Sequence, residues 1–97
     1  MNKIPVPKIS EILKDEFLLP LDLSAYALAK NIHVLTSRIQ DILHDRKQIT
    51  VDPSVRLRRF FGVSDRYFLN LQNDLDLRNA KEKSGKKYRQ IQPYQYS

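Results

Sequence analysis

The chain has 97 residues, no cysteine, and 17 Lys and Arg against 11 Asp and Glu, which gives a formal net charge of +6. This length suits one domain with a modest core and leaves little room for a separate catalytic domain. The lack of cysteine excludes disulfides, a thiolate nucleophile and cysteine-ligated metals, and no apolar run approaches the roughly 18 to 20 residues of a membrane span. Because the sequence also has no signal-peptide pattern, we expect a cytoplasmic protein without a membrane partner.

The predicted elements begin with an extended arm at residues 1–8. Pro5 and Pro7 favour this arm because proline lacks an amide donor and restricts the residue before it. A first helix follows, with Ser10 as its predicted N-cap and Pro20 as its end. Apolar residues at helical spacing predict its buried face, and they are Ile9, Ile12, Leu13 and Phe17.

Two short helices, at residues 25–32 and 36–44, are predicted next. Ser24 is the predicted N-cap of the first, and Thr36 is predicted to supply the capping hydroxyl of the second. Their connection is so short that the two helices must cross steeply, as in a helix-turn-helix. The apolar residues predicted to pack at this crossing are Ala25, Leu28, Ala29, Ile32, Ile39, Ile42 and Leu43.

Three residues are predicted to build the turn of this motif. Ala29 is the small residue where the helices approach, and Val34 fills the angle between them. His33 is predicted to adopt the left-handed conformation that glycine usually occupies. An ordinary pair of packed helices is the alternative interpretation of the same pattern.

Two further helices are predicted after the motif. Asp52 and Pro53 are the predicted N-cap and first residue of the fourth helix, which Gly62 ends. The fifth helix is predicted to run from near Ser64 to about Ala80. Inward-facing residues are predicted on both helices, namely Leu57, Phe60, Phe61, Phe68, Leu71 and Leu75.

The sequence therefore predicts an all-α, five-helix domain at residues 9–80, between the arm and a basic tail at residues 81–97. The tail carries five cations against Glu82, a net +4 of the chain's +6. It also contains Tyr88, Tyr94 and Tyr96. A solvated, disordered end is one interpretation, and a segment that orders across a dimer or on a protein partner is the other.

Polar side chains cover the face of the third helix that lies opposite its apolar stripe. In a helix-turn-helix the first turn of this helix enters the major groove, where each base pair shows a distinct donor and acceptor pattern. We therefore predict double-stranded DNA as a partner, contacted by Thr36, Ser37, Arg38, Gln40 and Asp41. Further predicted DNA contacts are Ser24 and three cations predicted to bind phosphates, Lys30, Arg46 and Lys47, for which a solvated side chain is the alternative interpretation. Three arginines could face water, a phosphate or a protein partner, namely Arg56, Arg58 and Arg59.

Six blocks of the chain resemble the HigA-type antitoxins of type II toxin–antitoxin systems, which share a phage-repressor-like (XRE) helix-turn-helix. Together the blocks cover about residues 10–80, and they comprise residues 12–18, 20–24, 38–43, 49–52, 56–62 and 67–72. The most distinctive features are Phe60-Phe61-Gly62 and Leu69-Asn70-Leu71-Gln72. The resemblance implies a homodimer that represses its own operon and binds a small HigB-type ribonuclease toxin. It also implies a bacterial protein that associates with the nucleoid when bound to DNA.

The chain departs from this family's pattern at three places. The family usually has His-Pro-Gly where Lys8-Ile9-Ser10 stand, glycine at the turn where His33 stands, and proline near Leu35-Thr36. The operator sequence therefore does not follow from the resemblance. Two alternative functions remain, a solitary repressor without a toxin and a toxin-binding module with weak DNA binding.

No enzyme, metal site or cofactor is predicted. His33 and His44 lie on the motif without carboxylates that converge on them, and no serine stands in a nucleophile-elbow context. The two histidines are better interpreted as a turn residue and a polar helix end.

Overall fold

Five helices are found in residues 6–96, the part of the chain that the computed structural model describes, and no strand occurs in that part. Their bounds are Ile9–Ile12 with its π-helical continuation Leu13–Leu18 for α1, Ala25–Ile32 for α2, Thr36–Leu43 for α3, Val51–Phe61 for α4 and Tyr67–Arg89 for α5. The predicted all-α class and five-helix architecture are confirmed. Of the predicted arm, residues 6–8 lie in neither helix nor strand, and residues 1–5 fall outside the described residues.

Helix α1 begins before its predicted N-cap. The prediction that Ser10 caps it is wrong, because Ile9 is its first residue and Lys8 precedes it in an extended conformation. The Lys8 carbonyl already accepts hydrogen bonds from the Glu11 and Ile12 amides, at 3.0 and 3.2 Å. Ser10 therefore lies inside the first turn, where it is buried.

The second half of α1 is π-helical. The Leu19 amide donates to the Lys14 carbonyl, five residues back in the chain, at 2.9 Å. This wider turn lets Leu13 and Leu18, which are also five residues apart, both face the core. The helix ends just before Pro20, as the sequence predicts.

Helix α4 begins two residues earlier than predicted. Val51 is its first residue and Thr50 its N-cap, so the assignment of Asp52 as N-cap and Pro53 as first residue is wrong. Pro53 is compatible with this earlier start because the amides of a first turn have no partner within the helix. At the other end Gly62 has φ 72 and ends the helix in the left-handed conformation, as predicted.

Helix α5 starts later and ends much later than predicted. It begins at Tyr67, whose amide donates to the Ser64 carbonyl at 3.1 Å, and it continues to Arg89 instead of ending near Ala80. Lysine, glutamate and arginine favour helix, so this polar stretch extends α5 although it has no apolar face. Ser84 interrupts the helix with φ −129 and ψ 16, which produces a kink there.

The core lies where all five helices meet. Its buried apolar members are Leu13, Leu18, Leu28, Ala29, Ile32, Ile39, Ile42, Ile49, Leu57 and Phe68. Burying one such leucine, isoleucine or phenylalanine side chain stabilises the fold by about 1.5–3 kcal/mol. The two isoleucines of α3 belong to this set, so the core fixes the position of α3 in the domain.

A group of aromatic rings closes the core between α1, α4 and α5. The Phe17 ring lies 4.8 Å from that of Phe61 and 5.3 Å from that of Phe68, measured between centroids. The prediction that Phe60 faces inward is wrong, because it is 39% exposed. The buried side of α4 follows Leu57 and Phe61, so Phe60 lies beside it and contacts only the edge of the group.

The connection between α3 and α4 is attached to α5 by a buried side chain. Gln72 of α5 exchanges two hydrogen bonds with the backbone of Ile49, at 2.7 and 2.8 Å. The loop that follows α3 is therefore held against a helix far away in sequence.

Candidate nucleic-acid interface

Helices α2 and α3 form a helix-turn-helix around a left-handed turn residue. His33 has φ 61 and ψ 46, as predicted, and it caps the end of α2. The Val34 amide donates to the Ala29 carbonyl at 3.0 Å, which closes the turn. Ala29 is buried where the two helices meet, and its small side chain lets them approach, whereas a larger one would hold them apart.

The two motif helices begin differently. At α2 the Ser24 hydroxyl oxygen accepts a hydrogen bond from the Ala27 amide at 3.0 Å, which confirms Ser24 as the N-cap. At α3 the predicted cap is wrong, because Leu35 occupies the N-cap position and Thr36 is already helical. Leu35 has no polar side chain, so the first amides of α3 receive no side-chain cap.

Arg56 of α4 forms hydrogen bonds with the turn of the motif. Its Nη1 donates to the carbonyls of Ile32 and His33, at 2.9 and 3.3 Å, and its Nε donates to Asp52 at 3.0 Å. The last carbonyls of a helix carry partial negative charge and lack partners within the helix. The guanidinium therefore satisfies the end of α2 and attaches the motif to α4.

Structural roles thus account for two of the three arginines whose role the sequence leaves open. Arg58 forms an ion pair with Asp65, with 2.6 Å between Nε and Oδ1. Arg59 is exposed. The Arg56–Asp52 contact could have been predicted from the sequence, because the two residues are four positions apart on one helix.

The outer face of α3 presents polar side chains at its first turns. Ser37 and Arg38 are exposed and Thr36 and Gln40 are half-buried, while the opposite face of the helix is in the core. Within the described part of the chain, neither Ser37 nor Arg38 forms a side-chain hydrogen bond or ion pair. The first two turns of α3 therefore present donors and acceptors that remain available to a ligand.

The Asp41 carboxylate is paired with Arg46. Its carboxylate accepts a hydrogen bond from Nε of Arg46 at 2.8 Å, and its carbonyl accepts bonds from the amides of Arg46 and Lys47, at 2.8 and 3.2 Å. The hydrogen bond from Arg46 holds the pKa of the Asp41 carboxyl below its ordinary value. The pair closes the end of α3 and offsets the negative charge of Asp41 beside the polar face.

The predicted phosphate contacts lie at separate places around this face. Lys30 is exposed on the last turn of α2, and Arg46 and Lys47 are exposed in the loop after α3. Arg38 and Lys47 line a shared groove of about 430 Å³ beside the start of α4. The structure thus brings these two cations together.

Neither a group of metal ligands nor a membrane-spanning helix is found among the described residues. Between residues 6 and 96 no three His, Asp or Glu side chains are grouped so that they could hold a metal ion. No helix in that range is long and apolar enough to cross a membrane. His44 lies at the end of α3, where its Nδ1 donates to the Gln40 carbonyl at 2.8 Å, so it is a helix-end residue as predicted.

Comparison with known proteins places this geometry in a family. No family model matches the chain. Virulence-associated protein I of Dichelobacter nodosus is 43% identical over 81 residues, which are 84% of this chain and 75% of that protein. The Pseudomonas aeruginosa antitoxin HigA, solved with the higBA promoter, is 34% identical, with a TM-score of 0.82 over 93% of this chain and 99% of HigA. The chain belongs to the HigA family of antitoxins.

A second antitoxin extends this likeness over nearly the whole chain. GraA in complex with its operator has a TM-score of 0.83 and 30% identity, and the match covers 99% of this chain and 98% of GraA. The XRE-type helix-turn-helix that the sequence indicates is thus the fold of HigA-family antitoxins solved with DNA. Proteins of this family are antitoxins and transcriptional regulators, so the chain is not an enzyme.

Proposed function

We propose that this HigA-family antitoxin neutralises a cognate ribonuclease toxin and, as a homodimer, represses its own operon by binding operator DNA. The observation that carries the proposal is the unpartnered polar face at the start of α3, with cations on either side of it. The HigA and GraA structures, which contain a promoter and an operator, support DNA as the ligand of this face.

The first turns of α3 are the proposed sequence-reading element. Arg38 can donate two parallel hydrogen bonds to the O6 and N7 atoms of a guanine, while Ser37 and Thr36 can each bond a base edge or a phosphate. Gln40, one turn further on, can pair with adenine. Asp41 remains a proposed contact, and its pairing with Arg46 limits the repulsion that a free carboxylate would exert on nearby phosphates.

The proposed phosphate contacts surround this element. Lys30, Arg46 and Lys47 supply positive charge that orients the domain on the duplex without reading its sequence. Ser24 stands at the start of α2, where free backbone amides and the positive end of the helix dipole favour an anion. These contacts would fix the register in which α3 meets the bases.

Dimerisation and toxin binding form the second part of the proposal. A dimer would place two copies of α3 on half-sites about one helical turn apart. The residues after α5 are exposed enough to contact another protein, since Ile91, Tyr94 and Tyr96 are 71, 76 and 88% exposed. Tyrosine offers contact area at a small entropic cost, so we propose this segment as a contact to a second copy or to the toxin.

Titration of the full chain with DNA tests the repressor function. A duplex from upstream of its own gene should bind saturably and more tightly than a scrambled duplex at moderate salt. Equal affinity for the two duplexes would refute sequence-specific binding and leave the toxin-binding module with weak DNA binding. Co-purification with the product of an adjacent short reading frame tests the antitoxin function, and absence of any such partner gene would favour a solitary repressor.

A further inference from the structure

The end of α5 is strongly positive, and none of its cations belongs to the face of α3 that is proposed to contact DNA bases. Residues 81–89 contain five Lys and Arg side chains and Glu82 as the single acid. All five cations are exposed, and none of them forms an ion pair within residues 6–96. This segment is helical apart from the kink at Ser84, so its charges lie along a helix and not on an irregular chain end.

The kink at Ser84 gathers these charges around a concavity. A half-open hollow of about 650 Å³ lies at the bend. Its lining contains one carboxylate, that of Glu82, and five cations, namely Lys81, Lys83, Lys86, Lys87 and Arg89. The bend therefore concentrates positive potential where an anionic ligand can approach.

This hollow lies next to a groove that borders the helix-turn-helix. Lys83 lines both the hollow and a groove of about 670 Å³ that runs between residues 6–9, the loop after α3 and α5. The groove also contains Lys8, Arg46 and Lys47. Two carboxylates face it, Asp45 and Asp76, and the first is 3.5 Å from the ammonium group of Lys8.

The positive surface of the motif thus extends along α5. Arg46 and Lys47 are proposed phosphate contacts, and the path from them to Lys87 passes through Lys83. Duplex DNA carries one negative charge for about every 1.7 Å of its axis. A line of exposed cations therefore matches a DNA backbone better than a compact anionic ligand would. Lysine ammonium groups, being mobile point charges, suit phosphates that are gripped without base recognition.

We propose that residues 81–89 form a second DNA-contacting surface, which grips backbone phosphates that flank the bases read by α3. The proposal rests on the DNA-binding function above and adds to it a sequence-independent part. It predicts that part of the affinity comes from duplex outside the operator half-site and that this part is purely electrostatic.

The test replaces Lys83, Lys86 and Lys87 together by glutamine in the full chain. Affinity for the operator duplex is measured by fluorescence anisotropy across a series of salt concentrations. Each lost phosphate contact should make the slope of log affinity against log salt shallower by about 0.9, so three contacts give about 2.7. The ratio of operator to scrambled affinity should remain that of the wild type. Lengthening the duplex beyond the operator should strengthen binding for the wild type but not for the triple variant.

The matched control is Lys14→Gln with Arg66→Gln and Arg78→Gln, which removes the same charge from exposed positions outside both concavities. The proposal is overturned if the control lowers the slope as much as the triple variant, or if the triple variant keeps the wild-type slope. Loss of toxin binding or of dimer with an unchanged slope also overturns it, because the segment would then be a protein contact.

The two proposals fail in different ways. Wild-type protein that binds operator and scrambled duplexes equally, while the triple variant loses slope, would refute sequence-specific binding and support the second surface. Wild-type protein that prefers the operator, while the triple variant behaves identically, would refute the second surface alone. Wild-type protein that binds neither duplex at low salt would refute both.

Discussion

Gln72 and Ile49 are joined by two hydrogen bonds in the core, although they are 23 residues apart in sequence. The Gln72 Nε2 donates to the Ile49 carbonyl at 2.8 Å, and the Ile49 amide donates to the Gln72 Oε1 at 2.7 Å. One amide side chain thus satisfies both polar groups of a backbone segment that is buried away from water. The contact holds the loop that carries Arg46 and Lys47 against α5.

Replacing Gln72 by leucine should destabilise the domain by about 2–4 kcal/mol. The change leaves the Ile49 amide and carbonyl buried without partners, and each such group costs about 1–3 kcal/mol. Urea unfolding followed by circular dichroism measures the effect. Asn73→Leu is the control, because Asn73 is exposed on the same turn and should change stability by less than about 0.5 kcal/mol. Equal stability of the two variants would show that the buried pair contributes nothing.

His33→Gly should stabilise the fold by up to about 1 kcal/mol. A residue with a Cβ pays about 1–2 kcal/mol for the left-handed conformation, and glycine recovers this minus its larger entropy in the unfolded chain. His33→Val should destabilise the fold, because a β-branched side chain tolerates this conformation poorly. The thermal midpoints of the two variants provide the comparison. His44→Gly is the control, since His44 has φ −104 and should gain nothing; a gain at His44, or none at His33, would contradict the assignment of strain to the turn.

Arg46→Gln should raise the pKa of Asp41. The Arg46 hydrogen bond is the largest cause of the lowered value, so its loss moves the carboxyl back toward its ordinary range. The folded-state pKa lies below the unfolded-state pKa, so this contribution to stability is present above about pH 4 and is lost as the pH falls through the folded-state value. An NMR titration of the Asp41 carboxyl in both proteins measures the shift. Identical titration curves would mean that Arg46 does not hold Asp41 in solution.

Arg38→Ala should weaken operator binding and reduce the preference for operator over scrambled DNA. A bidentate arginine–guanine contact contributes about 1–3 kcal/mol of discrimination against a wrong base. Lys30→Ala is the comparison, because loss of a phosphate contact should weaken both duplexes to a similar degree and leave their ratio unchanged. Competition titrations with both duplexes distinguish the two outcomes, and an Arg38→Ala protein with wild-type affinity and preference would remove Arg38 from the site.

Helical spacing was sufficient to predict the helices and the motif in this chain. The apolar positions of α2 and α3 repeat at the helical period and are separated by a turn too short for any gentle crossing, so the helix-turn-helix and the left-handed His33 could be inferred locally. The first residue of each helix was harder to predict. Ser10, Thr36 and Asp52 are all good capping residues, but each lies inside the first turn of its helix, because the N-cap position falls on Lys8, Leu35 and Thr50 instead.

Contacts between distant residues could not be inferred from the sequence. Nothing in the sequence connects Gln72 with Ile49, or Arg56 with the end of α2, because these partners meet only after the helices pack. The inward prediction for Phe60 failed for a related reason. Two adjacent residues of a helix point about 100° apart, and the position of α1 decided that Phe61 would be the more buried of the two phenylalanines.

The π-helical stretch of α1 also indicates where the length of this helix can vary. Its wide turn contains one residue more than an α-helix would need to connect the same two ends. Deleting one exposed residue between Leu13 and Leu18, such as Asp15, would place the two leucines four positions apart, a spacing that puts both side chains on one face of an ordinary α-helix. Both leucines would then keep their core positions. Natural or designed relatives with an α1 one residue shorter can therefore keep the same apolar pattern, and a one-residue alignment gap there would mark the loss of the π-turn without a change of buried face.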